Sequence, residues 1–177
     1  MTNNDVLRRI RFIFDMSDSK MIAVFGLADV TVTREQISQW LKKDDDADYQ
    51  KCNDKQLATF LNGLISEKRG KQEGEQPKPE KTLTNNIIFR KLKIALNLKD
   101  TDMLDILELA DFSISKHELS AFFRKANHQH YRGCKDQVLR RFLQGLQYKN
   151  RPDTKTDNNS DDEPDNKPGN AFVWTDL

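Results

Sequence analysis

Cysteine, histidine and glycine are scarce in this chain of 177 residues, at two, three and seven. Each scarcity removes a class of chemistry. Three histidines, two of them in one segment, leave little material for a nucleophile–base pair. The chain has no glycine-rich phosphate loop, no G-x-S-x-G elbow and no H-E-x-x-H helix. Long apolar runs are also missing. The longest, Met21–Ala28, is far short of the roughly 20 residues of a membrane span. Arg8, Arg9 and Arg11 interrupt the N-terminal region where an export signal needs an unbroken apolar stretch. The expectation is a cytoplasmic protein with no membrane partner, no cofactor and no catalytic residues. In a reducing compartment Cys52 and Cys134 read as buried thiols, not as a disulfide.

What the chain does contain is itself twice. Thr2–Leu64 reappears as Thr84–Leu146 with no residue inserted or deleted. TNNDVLRRIRFIFDM answers TNNIIFRKLKIALNL, TREQISQWLKK answers SKHELSAFFRK, and CNDKQLATFLNGL answers CKDQVLRRFLQGL. A tandem repeat must be found before a fold is proposed, because every position can then be read in two copies. One copy alone is marginal in size for burying a core, so the copies are expected to share an interface.

The net charge of +1 hides an asymmetry. Residues 1–70 carry 11 basic and 11 acidic side chains, and residues 71–83 carry 3 of each. Residues 84–150 carry 12 basic against 7 acidic, whereas residues 151–177 carry 3 against 7. The second repeat is basic and the tail acidic, a separation that suits a polyanionic partner or screening of that face by the tail.

Four helices are expected in each repeat. Val6, Leu7, Ile10, Ile13 and Phe14 share one face of the first, at the spacing of a packed stripe. The second should begin near Asp18 or Asp100 and bury Met21, Ile22, Val24 and Phe25. The third starts at Thr33 or Ser115, with Gln36 or Glu118 three residues on, a capping box in both copies. It presents Ile37, Trp40 and Leu41, or Leu119, Phe122 and Phe123. The fourth, capped by Asp54 or Asp136, presents Leu57, Phe60, Leu61 and Leu64, or Leu139, Phe142, Leu143 and Leu146. Gly63 and Gly145 interrupt this last helix at a cost of about 1 kcal/mol each relative to alanine, which implies close backbone approach by another element. Val30-Thr-Val32 and Phe112-Ser-Ile114 alternate as a short extended bridge would. The order resembles half of a paired EF-hand, but Phe25, Leu27, Leu107 and Leu109 stand where calcium requires oxygen ligands, so calcium binding is rejected.

Between the copies, residues 71–83 include two prolines and read as a flexible linker, with a helix stop at Gly70. The tail 151–177 reads as disordered, apart from an apolar end. There Phe172, Val173, Trp174 and Leu177 have the look of a docking peptide on a polar tether.

Arg8, Arg9 and Arg11 surround Phe12, and Arg90, Lys91 and Lys93 surround Ile94. Such a face could meet phosphates, yet the preferred reading is a solvated face with Phe12 and Ile94 buried between the repeats. The stronger candidate for an anionic partner is the surplus of the second copy: Lys116, Arg124, Lys125, Arg132, Lys135, Arg140 and Arg141. Arg140 and Arg141 replace Ala58 and Thr59 of the first copy. His128, His130 and Cys134 have metal-ligand chemistry but lack a fourth ligand at defined spacing, so no metal is expected. Asp44-Asp-Asp-Ala-Asp48 reads as a solvated loop, because its counterpart Ala126–His130 keeps none of the carboxylates.

The repeated TNN opening, Trp40-Leu41-Lys42-Lys43, the C-x-D-x-x-L-x-x-F-L-x-G-L segment and FLNGLISEKRGK resemble the YehS-like bacterial proteins, built from a duplicated domain of unknown function. The resemblance covers residues 1–150. It implies a small bacterial cytoplasmic protein and assigns no activity, cofactor or site residue. The expected molecule is all-α: two tandem four-helix units with pseudo-two-fold symmetry (1–70 and 84–150), joined by the linker and followed by the tail. Its expected role is binding an anionic partner, a nucleic acid or protein, through the second repeat. A protein–protein module using the C-terminal peptide is the alternative, and an enzyme the third reading.

Overall fold

The computed structural model describes residues 1–155. Phe172, Val173, Trp174 and Leu177, read above as having the look of a docking peptide, and most of the acidic tail lie outside them. Among the described residues the chain is all-α, with eight helices and no strand. They are α1 (Asn3–Ile13), α2 (Asp18–Leu27), α3 (Arg34–Leu41), α4 (Asp54–Arg69), α5 (Asn85–Ala95), α6 (Asp100–Leu109), α7 (Lys116–Phe122) and α8 (Asp136–Asn150). Two compact units divide the chain between Lys99 and Asp100. The opening helix of the second repeat, α5, packs on α4 within the first unit.

The starts of the helices follow from side chains able to accept backbone N–H groups. Thr33 with Gln36, and Ser115 with Glu118, form reciprocal capping boxes on α3 and α7. The expected cap Asp18 lies one residue inside α2, where Ser17 accepts from the Lys20 N–H. Asn53 similarly displaces Asp54 as cap of α4 and closes a box with Gln56. Lys135 takes that position on α8 with no side-chain bond, leaving Asp136 in the first turn. An Asp beside a better-placed Ser or Asn serves the helix dipole from the first turn instead.

Four helices end in a left-handed residue that is not glycine: Asp15, Asp29, Asn97 and Asp111, with φ between 50° and 60°. Asp and Asn tolerate that region better than other side chains. The backbone then folds back in matching bonds, Met16 N–H to Arg11 O and Leu98 N–H to Lys93 O, each 3.0 Å. The same turn accounts for the Val30 and Phe112 triplets. Val30 N–H donates to Phe25 O at 3.2 Å and Phe112 N–H to Leu107 O at 3.1 Å. These segments close α2 and α6 and form no extended bridge.

The first unit's core gathers Leu7, Ile10, Met21, Phe25, Ile37, Leu57, Phe60 and Leu64. Phe25 lies 5.3 Å from Phe60 and 5.6 Å from Trp40, ring centre to ring centre. The second unit buries Met103, Leu107, Leu119, Phe142 and Leu143. Phe14, Ile22, Leu41 and Phe123, expected in the core, are half-buried at its margin. Phe12 and Ile94, expected to be buried, are 46 % and 47 % exposed, because each falls on the far side of its helix from the apolar stripe.

Gly63 and Gly145 explain themselves in the packing. A Cβ at Gly63 would lie 2.0 Å from Val24 O, and one at Gly145 would lie 2.0 Å from Ile106 O. Thus α4 crosses α2, and α8 crosses α6, in backbone contact that any larger residue would block.

The basic face of α1 and α5 is largely spent on the fold. Arg8 donates to Lys42 O at 2.8 Å and pairs with Asp5, while Arg11 donates to Met16 O at 3.0 Å. Lys91 reaches Asn62 Oδ1 at 2.6 Å and Glu80 Oε1 at 2.9 Å, which ties α5 and the segment before it to α4. Leu83 N–H donates to Asp54 at 2.9 Å, and Lys71 pairs with Asp29 at 2.8 Å.

Candidate anion-binding cleft

The segments linking the third and fourth helices of each repeat have one backbone and opposite chemistry. In the first unit Asp46 N–H donates to Lys43 O (3.0 Å), Tyr49 N–H to Asp46 O (3.1 Å) and Gln50 N–H to Gln39 O (3.2 Å). In the second, His128 N–H donates to Lys125 O (2.9 Å), Tyr131 N–H to His128 O (3.0 Å) and Arg132 N–H to Ala121 O (3.2 Å). The bonds correspond position by position. Even the side-chain turn is kept: Asp48 N–H donates to Asp46 Oδ1 at 2.9 Å, and His130 N–H donates to His128 Nδ1 at 3.0 Å. A backbone N–H can only donate, so Nδ1 of His128 acts as the acceptor of this bond.

In the first unit a buried side chain fastens this segment. Asn4 donates to Trp40 O at 2.9 Å and to Gln50 O at 2.8 Å, while its Oδ1 accepts from Cys52 N–H at 3.0 Å. One amide satisfies three backbone groups, two of them, Trp40 O and Cys52 N–H, in buried bonds. Periodicity singles out only the apolar residues of α1, so this role of Asn4 was invisible without the fold.

On that scaffold the second unit forms a cleft of about 390 Å³, lined by His117, Glu118, Ala121, Gln129, His130, Tyr131 and Arg132. The counterparts in the first repeat are Glu35, Gln36, Gln39, Ala47, Asp48, Tyr49 and Gln50. Three positions therefore change from acidic or neutral to histidine or arginine. The carboxylate of Glu118 is already engaged, accepting from Ser115 N–H at 2.8 Å in the capping box. Gln129 Nε2 lies 3.2 Å from His130 Nε2, and the His128 and His130 rings are 5.6 Å apart.

Of the seven basic residues singled out in the sequence, Arg132 lines the cleft. Arg124, Lys125 and Lys135 belong to the same connecting segment, with Lys125 and Lys135 exposed. Lys116 is exposed at the start of α7, next to His117. Arg140 and Arg141 are half-buried on α8, and Arg141 donates to Gln144 Oε1 at 2.9 Å and to Ala110 O at 3.4 Å. Arg141 is thus partly committed to its own unit. His117, Gln129 and Tyr131 were missed. Column-by-column comparison of the repeats would have found His117 against Glu35, but Tyr131 repeats Tyr49 and carries no such signal.

Among the described residues no group of three His, Cys, Asp or Glu side chains is placed to hold a metal ion. Cys134 and Cys52 are buried. Burial, reinforced by the neighbouring Asp136 and Asp54 carboxylates, pushes both thiols up to about 12. Position ahead of a helix does not activate them. No helix among the described residues is long and apolar enough to cross a membrane.

Comparison with known proteins agrees with the duplication. Residues 3–70 and 85–151 each match the family described as "Protein of unknown function (DUF1456)". The uncharacterized protein YehS of Escherichia coli (strain K12) is 44% identical over 147 residues, covering 82% of this chain and 94% of that protein. No solved structure matches. With both repeats matched and a relative this similar along most of its length, the chain belongs to the DUF1456 family and carries its domain twice.

Proposed function

We propose that this chain is a binding protein whose second repeat engages an anionic partner, a nucleic acid, through the cleft and the basic residues beside it. One observation carries the reading: two connecting segments with matching backbone bonds present carboxylates in one copy and imidazoles and a guanidinium in the other. A change of charge on an unchanged scaffold leaves folding alone and alters what the surface attracts. Arg132 lines the cleft, Lys116 is adjacent in sequence to His117, and Arg124, Lys125 and Lys135 flank the cleft residues along the chain. The test is a titration of a labelled single-stranded oligonucleotide across a range of salt concentrations. Affinity should fall with salt, with a slope of about −0.7 for each phosphate contacted on a single strand. Replacing Lys116, Lys125 and Lys135 by Gln should flatten that slope. Binding that is flat in salt, or absent at low salt, overturns the proposal.

A further inference from the structure

We infer that the cleft of the second unit seats a terminal phosphate, a phosphomonoester and not the diester backbone of a strand. The inference rests on the anionic-partner reading and specifies the ligand at that site. The cleft is concave and, at about 390 Å³, falls within the roughly 300–1,000 Å³ of small-ligand sites. A depression of this size matches an end group, whereas a continuing strand runs along an extended groove.

The lining is rich in groups that donate hydrogen bonds: the Arg132 guanidinium, the imidazoles of His117 and His130, the Tyr131 hydroxyl and the Gln129 amide. They come from two elements, His117 from α7 and the others from the segment between α7 and α8. The lining also holds one carboxylate, Glu118, whose Oε2 accepts from the Ser115 N–H in its capping box and which stands where the first repeat has neutral Gln36. Such a lining fits a ligand with several acceptor oxygens and negative charge, and a monoester offers three terminal oxygens carrying nearly two charges at neutral pH. A guanidinium fork can bridge two of those oxygens. The first repeat is an internal control, because Glu35 and Asp48 stand at the places of His117 and His130 and would repel the same group.

The experiment uses the full chain in phosphate-free buffer. Its four probes are inorganic phosphate, a nucleoside 5′-monophosphate, and one single-stranded oligonucleotide bearing either a 5′-phosphate or a 5′-hydroxyl. Binding is measured calorimetrically, with the histidine ring signals followed by NMR. The phosphorylated strand should bind roughly tenfold tighter than the hydroxyl strand, the factor expected of one charge-assisted hydrogen bond. Inorganic phosphate should compete and shift the His117 and His130 signals. His117→Ala and His130→Ala should each bring the ratio between the two strands towards unity, while Asp48→Ala in the first repeat leaves it unchanged. A monophosphate that binds as tightly as the phosphorylated strand supports the inference and identifies a small molecule as the source. Equal affinity for both strands, with no response to phosphate at either ring, overturns it while salt-dependent oligonucleotide binding still stands. Failure of all four probes to bind overturns both proposals.

Discussion

Replacing Gly63 or Gly145 by alanine normally strengthens a helix by about 1 kcal/mol, and here it should do the reverse. The added Cβ would lie 2.0 Å from Val24 O in one case and 2.0 Å from Ile106 O in the other. Carbon and carbonyl oxygen rest at about 3.3 Å even in the closest favourable contacts, so the helices must separate by roughly 1 Å. The obstructing atoms are backbone, with no rotamer to yield. Overpacking of this kind costs typically 1–3 kcal/mol, occasionally more, and a backbone collision belongs at the upper end. After the gain in helix propensity, each variant should lose about 2 kcal/mol. Gly26→Ala supplies the comparison: Gly26 lies in α2 with nothing within 4 Å of the added atom, and its counterpart in the second repeat is the exposed Glu108. It should gain up to about 1 kcal/mol. Urea unfolding followed by circular dichroism measures all three. If Gly63→Ala matches or exceeds the wild type in stability, the reasoning about α2–α4 and α6–α8 contact is refuted.

Asn4→Ala should cost about 2 to 3 kcal/mol, since it orphans the buried Trp40 O and Cys52 N–H and releases Gln50 O; a loss below 1 kcal/mol in urea unfolding would contradict the stapling role. With both thiols pushed up to about 12, an aromatic disulfide reagent at pH 8 should modify neither cysteine in the native protein and both in denaturant. Rapid native labelling would show that burial does not protect them. The Asp54 carboxyl accepts from Asn3 at 2.7 Å and from Leu83 N–H at 2.9 Å, which holds it below its ordinary value of 3.8. A depressed folded value means this contribution is present above the unfolded value and is lost as pH falls through the folded one. Acid titration of stability should therefore be shallower in Asp54→Asn, and an unchanged profile would argue against those bonds.

Much of the fold was legible because helix interiors obey local rules. The apolar spacing of Ile37 and Trp40, the boxes at Thr33 and Ser115, and the repeated glycines of α4 and α8 each carry a physical signal within a few residues. Tertiary relations escaped that reading. Nothing local says that Asn4 reaches Trp40 or that Lys91 is drawn to Asn62 and Glu80, whereas the outward face of Phe12 follows from helical spacing alone. Helix caps were misplaced by one residue wherever an Asp followed Ser17 or Asn53, because both residue types are good caps and only geometry chooses between them. The charge surplus of the second repeat was plain in composition. That Arg132 alone of that surplus meets His117, His130 and Tyr131 in one cleft depends on a backbone turn, and side-chain type does not encode that turn, since aspartates form it in one copy and histidines in the other.

The most direct test exchanges the chemistry of the cleft and keeps its backbone. His117→Glu, Asn127→Asp, His128→Asp, His130→Asp and Arg132→Gln together install the first repeat's side chains on the second repeat's turn, where Asp46 shows that an aspartate sustains the same bond. The variant should retain the wild-type circular dichroism and unfolding midpoint while its low-salt affinity for a 5′-phosphorylated oligonucleotide falls at least about tenfold, the factor expected of the lost charge-assisted contact, and no longer exceeds its affinity for the 5′-hydroxyl strand. A folded variant that binds as tightly as the wild type would contradict the account.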